Sequence, residues 1–281
     1  MPEVNAGERV RAGTGQADQE MARQEAHVVT LYQFEISPFC DKVRRILDYK
    51  GVAYEVREIS MQEAVTKVRK VNKVGKLPAI EHEGRCLGDS TEIAYYLEER
   101  FPSPSIFPAD AREKGMVHVF EDWADESLYF YEMFLRFTLG HNAEKWVPIL
   151  CANDSDIVRR AGRFIIPRHM KAILVKQGLG RKSRKQVLTD VRRHFQHLSG
   201  LLEGRTWLVG DSLTLADIAV FAQLACVCGA KEGAAMRGEH PVVDEWMKRV
   251  DAATAPRAPR SERAADAAGE HKAPRHARGA A

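Results

Sequence analysis

The feature that most constrains the fold is a strand-like run followed at once by a capped helix. Residues 28–34 are mostly apolar, and after a short turn apolar side chains recur at helical spacing up to Lys50. Ser37 occupies the expected N-cap and Pro38 the first helical position. Unpaired N–H groups and the positive end of the helix dipole meet at this turn, which favours a bound thiolate. The alternative is that Ser37 is only a helix cap.

Two motifs further along the chain favour the functional interpretation. Gly75-Lys76-Leu77-Pro78 precedes a short strand pattern, and Asp89-Ser90 opens a helical pattern that ends near Arg100. Together with the Ser37 turn, these motifs predict a site that handles a thiol.

The pattern of elements changes once along the chain. Short strands and helices alternate in the order βαβ and then αββα up to Phe101-Pro102-Ser103-Pro104, and long helices follow. We therefore predict an α/β domain at residues 27–107 and an all-α domain at residues 108–250. The polar segment 1–26 and the Ala/Arg/Pro-rich segment 251–281 are predicted to be disordered.

Composition narrows the possible functions. A net charge of +3 over 281 residues is too small to indicate nucleic-acid binding. The chain has no apolar run long enough to span a membrane and no secretory signal pattern. Five scattered cysteines fit a reducing compartment, and no metal-binding motif is visible. We expect a cytoplasmic protein with no metal.

Charge is unevenly distributed within the helical part. Residues 159–194 carry twelve Lys or Arg residues against one acid, whereas residues 113–132 carry six acids against one lysine. We expect the basic segment to be a solvated helix face paired with acidic neighbours, and the two segments could face each other. An anion-binding surface is the alternative.

The clearest helix start in the chain lies near residue 214. Thr214 can cap, Asp217 stands at the third helical position, and Leu213 with Ile218 supplies a hydrophobic staple. Because the helix at residues 215–228 is apolar nearly all round, we predict that it forms the centre of the helical domain. Replacing Asp217 with alanine is expected to cost about 1 kcal/mol of stability.

These motifs occur in one order, and in that order the chain resembles a cytosolic glutathione transferase over about residues 28–250. The resemblance implies a thioredoxin-like α/β N-terminal domain, an all-α helical-bundle C-terminal domain, and assembly as a homodimer. It also implies an enzyme that uses glutathione as cosubstrate and adds its thiolate to an apolar electrophile.

The resemblance assigns roles to particular residues. Ser37 would be the catalytic residue, donating a hydrogen bond to the glutathione sulfur. The glutathione-binding residues would be Phe39, Cys40, Lys76, Leu77, Pro78, Asp89 and Ser90. Pro78 would follow a cis peptide bond, and Asp89 with Ser90 would hold the γ-glutamyl end of glutathione, although Asp89 could instead only cap its helix. By family position, Trp123, Tyr129 and Phe130 would form the wall of the electrophile pocket.

Two other functions remain open at this stage. Ser-Pro-Phe-Cys also resembles the Cys-Pro-Phe-Cys motif of glutaredoxin-like members, so Cys40 could serve a glutathione-dependent thiol-disulfide oxidoreductase. A buried packing role for Cys40 is the competing interpretation. The chain could also be a transferase-like binding protein without turnover, because the segment 146–180, which Pro148 and Pro167 are expected to interrupt, is longer than a compact transferase needs.

Overall fold

The computed structural model describes residues 28–66, 68–256 and 261–262. The N-terminal domain contains β1 (Val29–Gln33), α1 (Pro38–Lys50), β2 (Tyr54–Glu58), α2 (Met61–Thr66), α3 (Val68–Val71), β3 (Ala79–His82), β4 (Arg85–Gly88) and α4 (Ser90–Arg100). The helical domain contains α5 (Ala111–Trp123), a π-helical turn (Ala124–Leu128), α6 (Tyr129–Thr138), α7 (Gly140–Leu150), α8 (Asp156–Gln177), α9 (Arg184–Leu202), α10 (Leu215–Cys228), α11 (Lys231–Glu239) and α12 (Pro241–Ala253).

The N-terminal domain is built on a mixed sheet with strand order β4-β3-β1-β2. β1 pairs parallel to β2 and antiparallel to β3, and β3 pairs antiparallel to β4. The two-residue strand Ser261–Glu262 pairs with the outer edge of β2. The predicted fold class, thioredoxin-like α/β followed by all-α, is confirmed.

Helix α1 starts and stops as its sequence predicts. Ser37 is the N-cap, and its Oγ accepts a hydrogen bond from the Cys40 backbone N–H at 3.4 Å. Gly51 ends the helix in the left-handed conformation with φ of 66°, which glycine adopts without the steric cost of a side chain. The turn that precedes α1 therefore places Ser37 at the carboxyl end of β1.

Helix α10 is the centre of the helical domain, as predicted. Nearly every side chain from Leu215 to Leu224 is buried, and α10 contacts both α1 and α5. Asp217 at its start is fully buried, and its carboxylate accepts hydrogen bonds from Leu208 N, Thr214 N and Trp246 Nε1. These bonds join the loop before α10 to helix α12.

The C-terminal tail begins later than predicted. Helix α12 continues to Ala253, and Thr254 is buried, donating to the Val250 carbonyl and accepting a hydrogen bond from Arg45. The sequence gives no sign of this, because residues 251–254 carry no large apolar side chain and the contact with Arg45 is long-range. The predicted disorder of residues 1–26, 257–260 and 263–281 lies outside the described residues.

The segment 146–180 forms two helices that Pro148 and Pro167 do not interrupt. Each proline lies inside a helix, α7 and α8 respectively, and the break falls at residues 151–155.

Among the described residues, no single helix meets the length and hydropathy needed to cross a membrane. Helices α10 and α11 reach the required length and hydropathy only when they are counted as one segment, and the two helices meet at a bend of 118°.

Candidate active site

A cavity of about 490 Å³ lies between the two domains at the Ser37 turn. Its volume is in the range of small-molecule sites. The three predicted motifs meet there, since Ser37, Phe39, Lys76, Leu77, Pro78, Asp89 and Ser90 all line it. The fold thus brings together motif residues that are up to 53 positions apart in the chain.

The Ser37 hydroxyl lies at the wall of this cavity. Its oxygen accepts a hydrogen bond from the Cys40 N–H, and a hydroxyl in that arrangement can also donate its proton, either to the neighbouring Cys40 sulfur or to a ligand in the cavity. The adjoining end of α1 carries the positive end of the helix dipole. The turn can therefore stabilise an anion, such as a thiolate, in the cavity.

Cys40 does not line the cavity, which corrects its assignment to the glutathione-binding residues. Its side chain is fully buried, and burial raises the pKa of the thiol to about 11. It lies one turn inside α1, on the face that packs into the core. The predicted packing role is the one the structure supports.

The loop before β3 and the start of α4 form the polar side of the cavity. The Leu77–Pro78 peptide bond is cis, as predicted. Asp89 is exposed, has a φ of 78°, and accepts hydrogen bonds from Thr91 N at 3.0 Å and Glu92 N at 3.3 Å. A non-glycine residue in this backbone region carries conformational strain, and such strain concentrates at binding sites. Asp89 therefore caps α4 and also faces the cavity.

The opposite wall of the cavity is aromatic, but one of the three aromatic residues predicted there does not line it. Tyr129, Phe130 and Phe137 line the cavity, and the Tyr129 ring lies 4.9 Å from that of Phe39. Trp123 faces away from it and packs against His194 of α9, with ring centroids 5.5 Å apart. Trp123 precedes the π-helical turn, whereas Tyr129 and Phe130 follow it. A sequence-based helical wheel could not foresee that change of register.

A buried charge cluster that the sequence analysis missed joins the domains beside the cavity. Lys42 of α1 is 1% exposed, and its Nζ lies 2.7 Å from Glu121 Oε1 and 2.5 Å from Asp125 Oδ2. Thr91 Oγ1 donates to Glu121, and Ser90 Oγ donates to Asp125 at 3.4 Å. Acids at positions 121 and 125 are one helical turn apart, which was the available signal, but nothing in the sequence names Lys42 as their partner.

The cluster holds two carboxylates and one ammonium group, and this imbalance affects the pKa of Asp125. Burial raises the pKa of Asp125 to about 6, with the Glu121 charge adding to the shift and Lys42 opposing it. The pKa of Glu121 is lowered, because Lys42 and Thr91 outweigh the cost of its burial. Below about pH 6 the pair therefore holds one proton, which resides on Asp125 and not on Glu121.

A second missed group lies behind the Ser37 turn. Arg136 of α6 is 1% exposed, pairs with Glu132 at 3.0 Å, and stacks over the Trp146 ring at 4.2 Å. Its Nη2 also donates to the Ile36 carbonyl oxygen at 3.0 Å. The residue before Ser37 is thus held by the helical domain.

Helices α7 and α8 cover one side of the cavity with Leu150 and Met170. Asp154, in the loop between them, accepts hydrogen bonds from the backbone N–H groups of Met61 and Gln62 at 3.1 and 3.0 Å. It therefore caps α2 of the other domain. The α7–α8 hairpin is joined to both sides of the cavity.

The acidic and basic segments do not pair with each other in the way their charges suggested. In the acidic segment, Glu121 and Asp125 pair with Lys42, and Glu132 pairs with Arg136. The basic segment finds its acids elsewhere: Arg184 pairs with Glu232 and Arg192 with Glu239.

Within residues 28–66 and 68–256, no group of three His, Cys, Asp or Glu residues could hold a metal ion.

A thioredoxin-like domain with this site, followed by a helical bundle, defines the class of cytosolic glutathione transferases. Family models agree: the glutathione S-transferase N-terminal domain matches residues 31–105 and the C-terminal domain matches residues 164–253. The chain belongs to the glutathione S-transferase family.

Individual relatives are more distant. A stringent starvation protein A homolog of Pasteurella multocida is 29% identical over 133 residues, which are 46% of this chain and 59% of that protein. Glutathione S-transferase U2 of Arabidopsis thaliana is 34% identical over 109 residues, 38% of this chain and 48% of that protein. The chain thus spans about half of the length of the curated relatives it matches.

Solved structures extend the likeness over more of the chain. The crystal structure of a glutathione S-transferase from Rhodospirillum rubrum covers 80% of this chain and 88% of its own, with a TM-score of 0.58 and 26% identity. A glutathione transferase from Methylobacterium radiotolerans, in complex with glutathione sulfonate, covers 86% and 99%, with a TM-score of 0.54 and 22% identity. The second comparison supports the fold alone.

Proposed function

We propose that this protein is a serine-type glutathione transferase that joins the glutathione thiolate to an apolar electrophile. The observation that carries the proposal is the position of the Ser37 hydroxyl, which lines the cavity at the N-terminus of α1, accepts the Cys40 N–H and can donate its proton to a sulfur bound there. In the reaction the thiol gives its proton to solvent, and the thiolate adds to the electrophilic carbon while a π bond of the electrophile opens and its far end takes up a proton from solvent. Holding the two reactants together and stabilising the thiolate are the contributions that this site supports.

The residues around the cavity fit glutathione as the ligand. The exposed carboxylate of Asp89 and the N-terminus of α4 suit the ammonium and carboxylate of a γ-glutamyl group. The Leu77 backbone next to the cis bond suits the peptide, and exposed Lys76 suits the glycyl carboxylate. Tyr129 and Phe130 offer apolar surface for the electrophile. By family resemblance, we extend the proposal to a cytoplasmic homodimer.

Calorimetric titration with glutathione tests the proposal, followed by ultraviolet absorbance of the bound thiolate near neutral pH. We expect binding with a thiolate signal in the natural protein and in Cys40→Ser, and loss of the signal in Ser37→Ala. A hydrogen bond to a charged group is worth about 1.5 to 3 kcal/mol, so the pKa of the bound thiol should rise by about 1 to 2 units in Ser37→Ala. An unchanged pKa in that variant would contradict the role of Ser37.

The two sequence-based alternatives now differ in support. An oxidoreductase that uses Cys40 is disfavoured, because a fully buried thiol whose pKa is about 11 is a poor nucleophile. A binding protein without turnover is the second candidate, favoured by the large apolar side chains that α8 exposes. Absence of glutathione binding at millimolar concentration would support that candidate over both enzymes.

A further inference from the structure

Helix α8 exposes an apolar crest between positive charges. Ile157, Phe164 and Ile165 are 80%, 65% and 63% exposed. Side chains seven or eight positions apart on a helix point in similar directions, so these three share the outward side. The opposite side of the helix, with Gly162, Ile166 and Leu174, is buried against the domain. The exposed apolar side chains are therefore separate from the face of α8 that packs into the domain core.

The charges beside the crest have one sign. Helix α8 carries six Lys or Arg residues against one acid, Asp156, which pairs with Arg159. Arg160, Arg163 and Lys171 are exposed, and no carboxylate within residues 28–66 and 68–256 forms an ion pair with them. These three cations are unneutralised within the part of the chain that the structure describes.

Charge decides which occupant suits this face. A second copy of the chain is disfavoured, since a symmetric contact would bring six cations on one helix against six on the other. An anionic lipid surface neutralises the cations, while its interfacial region accepts Phe and Ile side chains from a helix that lies flat on it. The face is also one convex helix side and not a groove for a peptide.

We propose that the exposed face of α8 docks the protein peripherally on membranes that contain anionic lipid. Phe164 with Ile165 would enter the interfacial region, and Arg160, Arg163 and Lys171 would contact lipid phosphates. This contact is independent of chemistry in the cavity. Helix α8 also covers that cavity with Met170, so docking would hold the cavity close to the lipid surface.

Co-sedimentation of the full chain with vesicles tests the proposal. One set is phosphatidylcholine alone, and the other contains phosphatidylglycerol at about one lipid in three. We expect binding to the anionic vesicles only, weakening as salt is raised. Because each cation near such a surface adds roughly fivefold to binding, Arg160→Gln with Arg163→Gln should lower the partition coefficient by roughly 25-fold. Phe164→Ser with Ile165→Ser should lower it by about tenfold or more.

A matched control is Leu201→Ser with Arg205→Gln, which removes an exposed apolar and an exposed basic side chain elsewhere. It should bind anionic vesicles like the natural protein. All substituted side chains are exposed, so melting temperatures should remain unchanged. Equal binding by the α8 variants, or binding to poly-glutamate with none to anionic vesicles, would overturn the proposal, the latter in favour of an acidic protein partner.

Discussion

Arg136 Nη2 donates a hydrogen bond to the Ile36 carbonyl oxygen at 3.0 Å, so the helical domain holds the residue next to Ser37. The same guanidinium pairs with Glu132 through Nη1, and both side chains are buried. The turn of one domain thus depends on an ion pair within the other.

Replacing Arg136 with methionine should be strongly destabilising. It leaves the Glu132 carboxyl buried without a partner, and breaking a buried pair in this way costs about 3 to 5 kcal/mol. Glu132→Gln with Arg136→Met should cost less than Arg136→Met alone. Urea unfolding measures both, and a double variant as unstable as the single one would contradict the pairing.

Asp125 should make stability depend on pH in a direction opposite to that of most carboxylates. Its folded pKa of about 6 exceeds its ordinary value of 3.8, so the folded state binds the proton more tightly than the unfolded state. The free energy of unfolding should therefore fall as pH rises from about 4 through about 6. Asparagine mimics the protonated form and cannot ionise.

We therefore expect Asp125→Asn to differ least from the natural protein near pH 3 and to gain up to about 3 kcal/mol relative to it by pH 8, with roughly half of that gain reached by pH 5. Denaturant unfolding at several pH values measures this difference. Asp122→Asn is a suitable control, because Asp122 is an exposed carboxylate three residues away. A constant difference between Asp125→Asn and the natural protein would show that Asp125 does not retain the proton.

Asp154 should hold the N-terminus of α2 in place beside the cavity. Asp154→Ala removes the acceptor for the Met61 and Gln62 N–H groups, which should exchange with solvent faster by about tenfold if the cap is worth about 1 kcal/mol or slightly more. Hydrogen exchange with mass spectrometry over residues 60–66 measures this. Asp156→Ala, which removes an exposed acid two residues away, should leave that segment unchanged. Equal exchange in both variants would contradict the capping role.

Asp217→Ala should cost more than the 1 kcal/mol that its sequence context indicated. Its fully buried carboxylate accepts from three separate parts of the chain, so its removal strands the Leu208 N–H and the Trp246 Nε1–H without acceptors. Each stranded buried donor costs about 1 to 3 kcal/mol, and we expect a total of about 3 kcal/mol or more. Thermal unfolding measures the loss, and a change near 1 kcal/mol would support the simple cap.

Local signals in the sequence predict most of the fold, and nine of the eleven site residues that the family resemblance implied line the cavity. The caps at Ser37 and Thr214 and the strand-to-helix alternation depend on neighbours in the chain, and the structure confirms them. Lys42 escaped detection because its partners lie in the other domain, and Arg136 because its hydrogen bond to the Ile36 carbonyl depends on how the two domains pack. Cys40 was misassigned because a motif gives the order of residues but not which of them face the cavity.

The Lys42 ion pairs make the two domains interdependent. Lys42 belongs to the N-terminal domain, yet both acids that neutralise its buried charge belong to the helical domain. A fragment ending near residue 107 would retain the lysine but lose both of its counterions and the helical-domain surface that packs against it. The boundary near residue 101 is therefore only a change in the pattern of secondary structure. We expect the two domains to unfold in one cooperative transition.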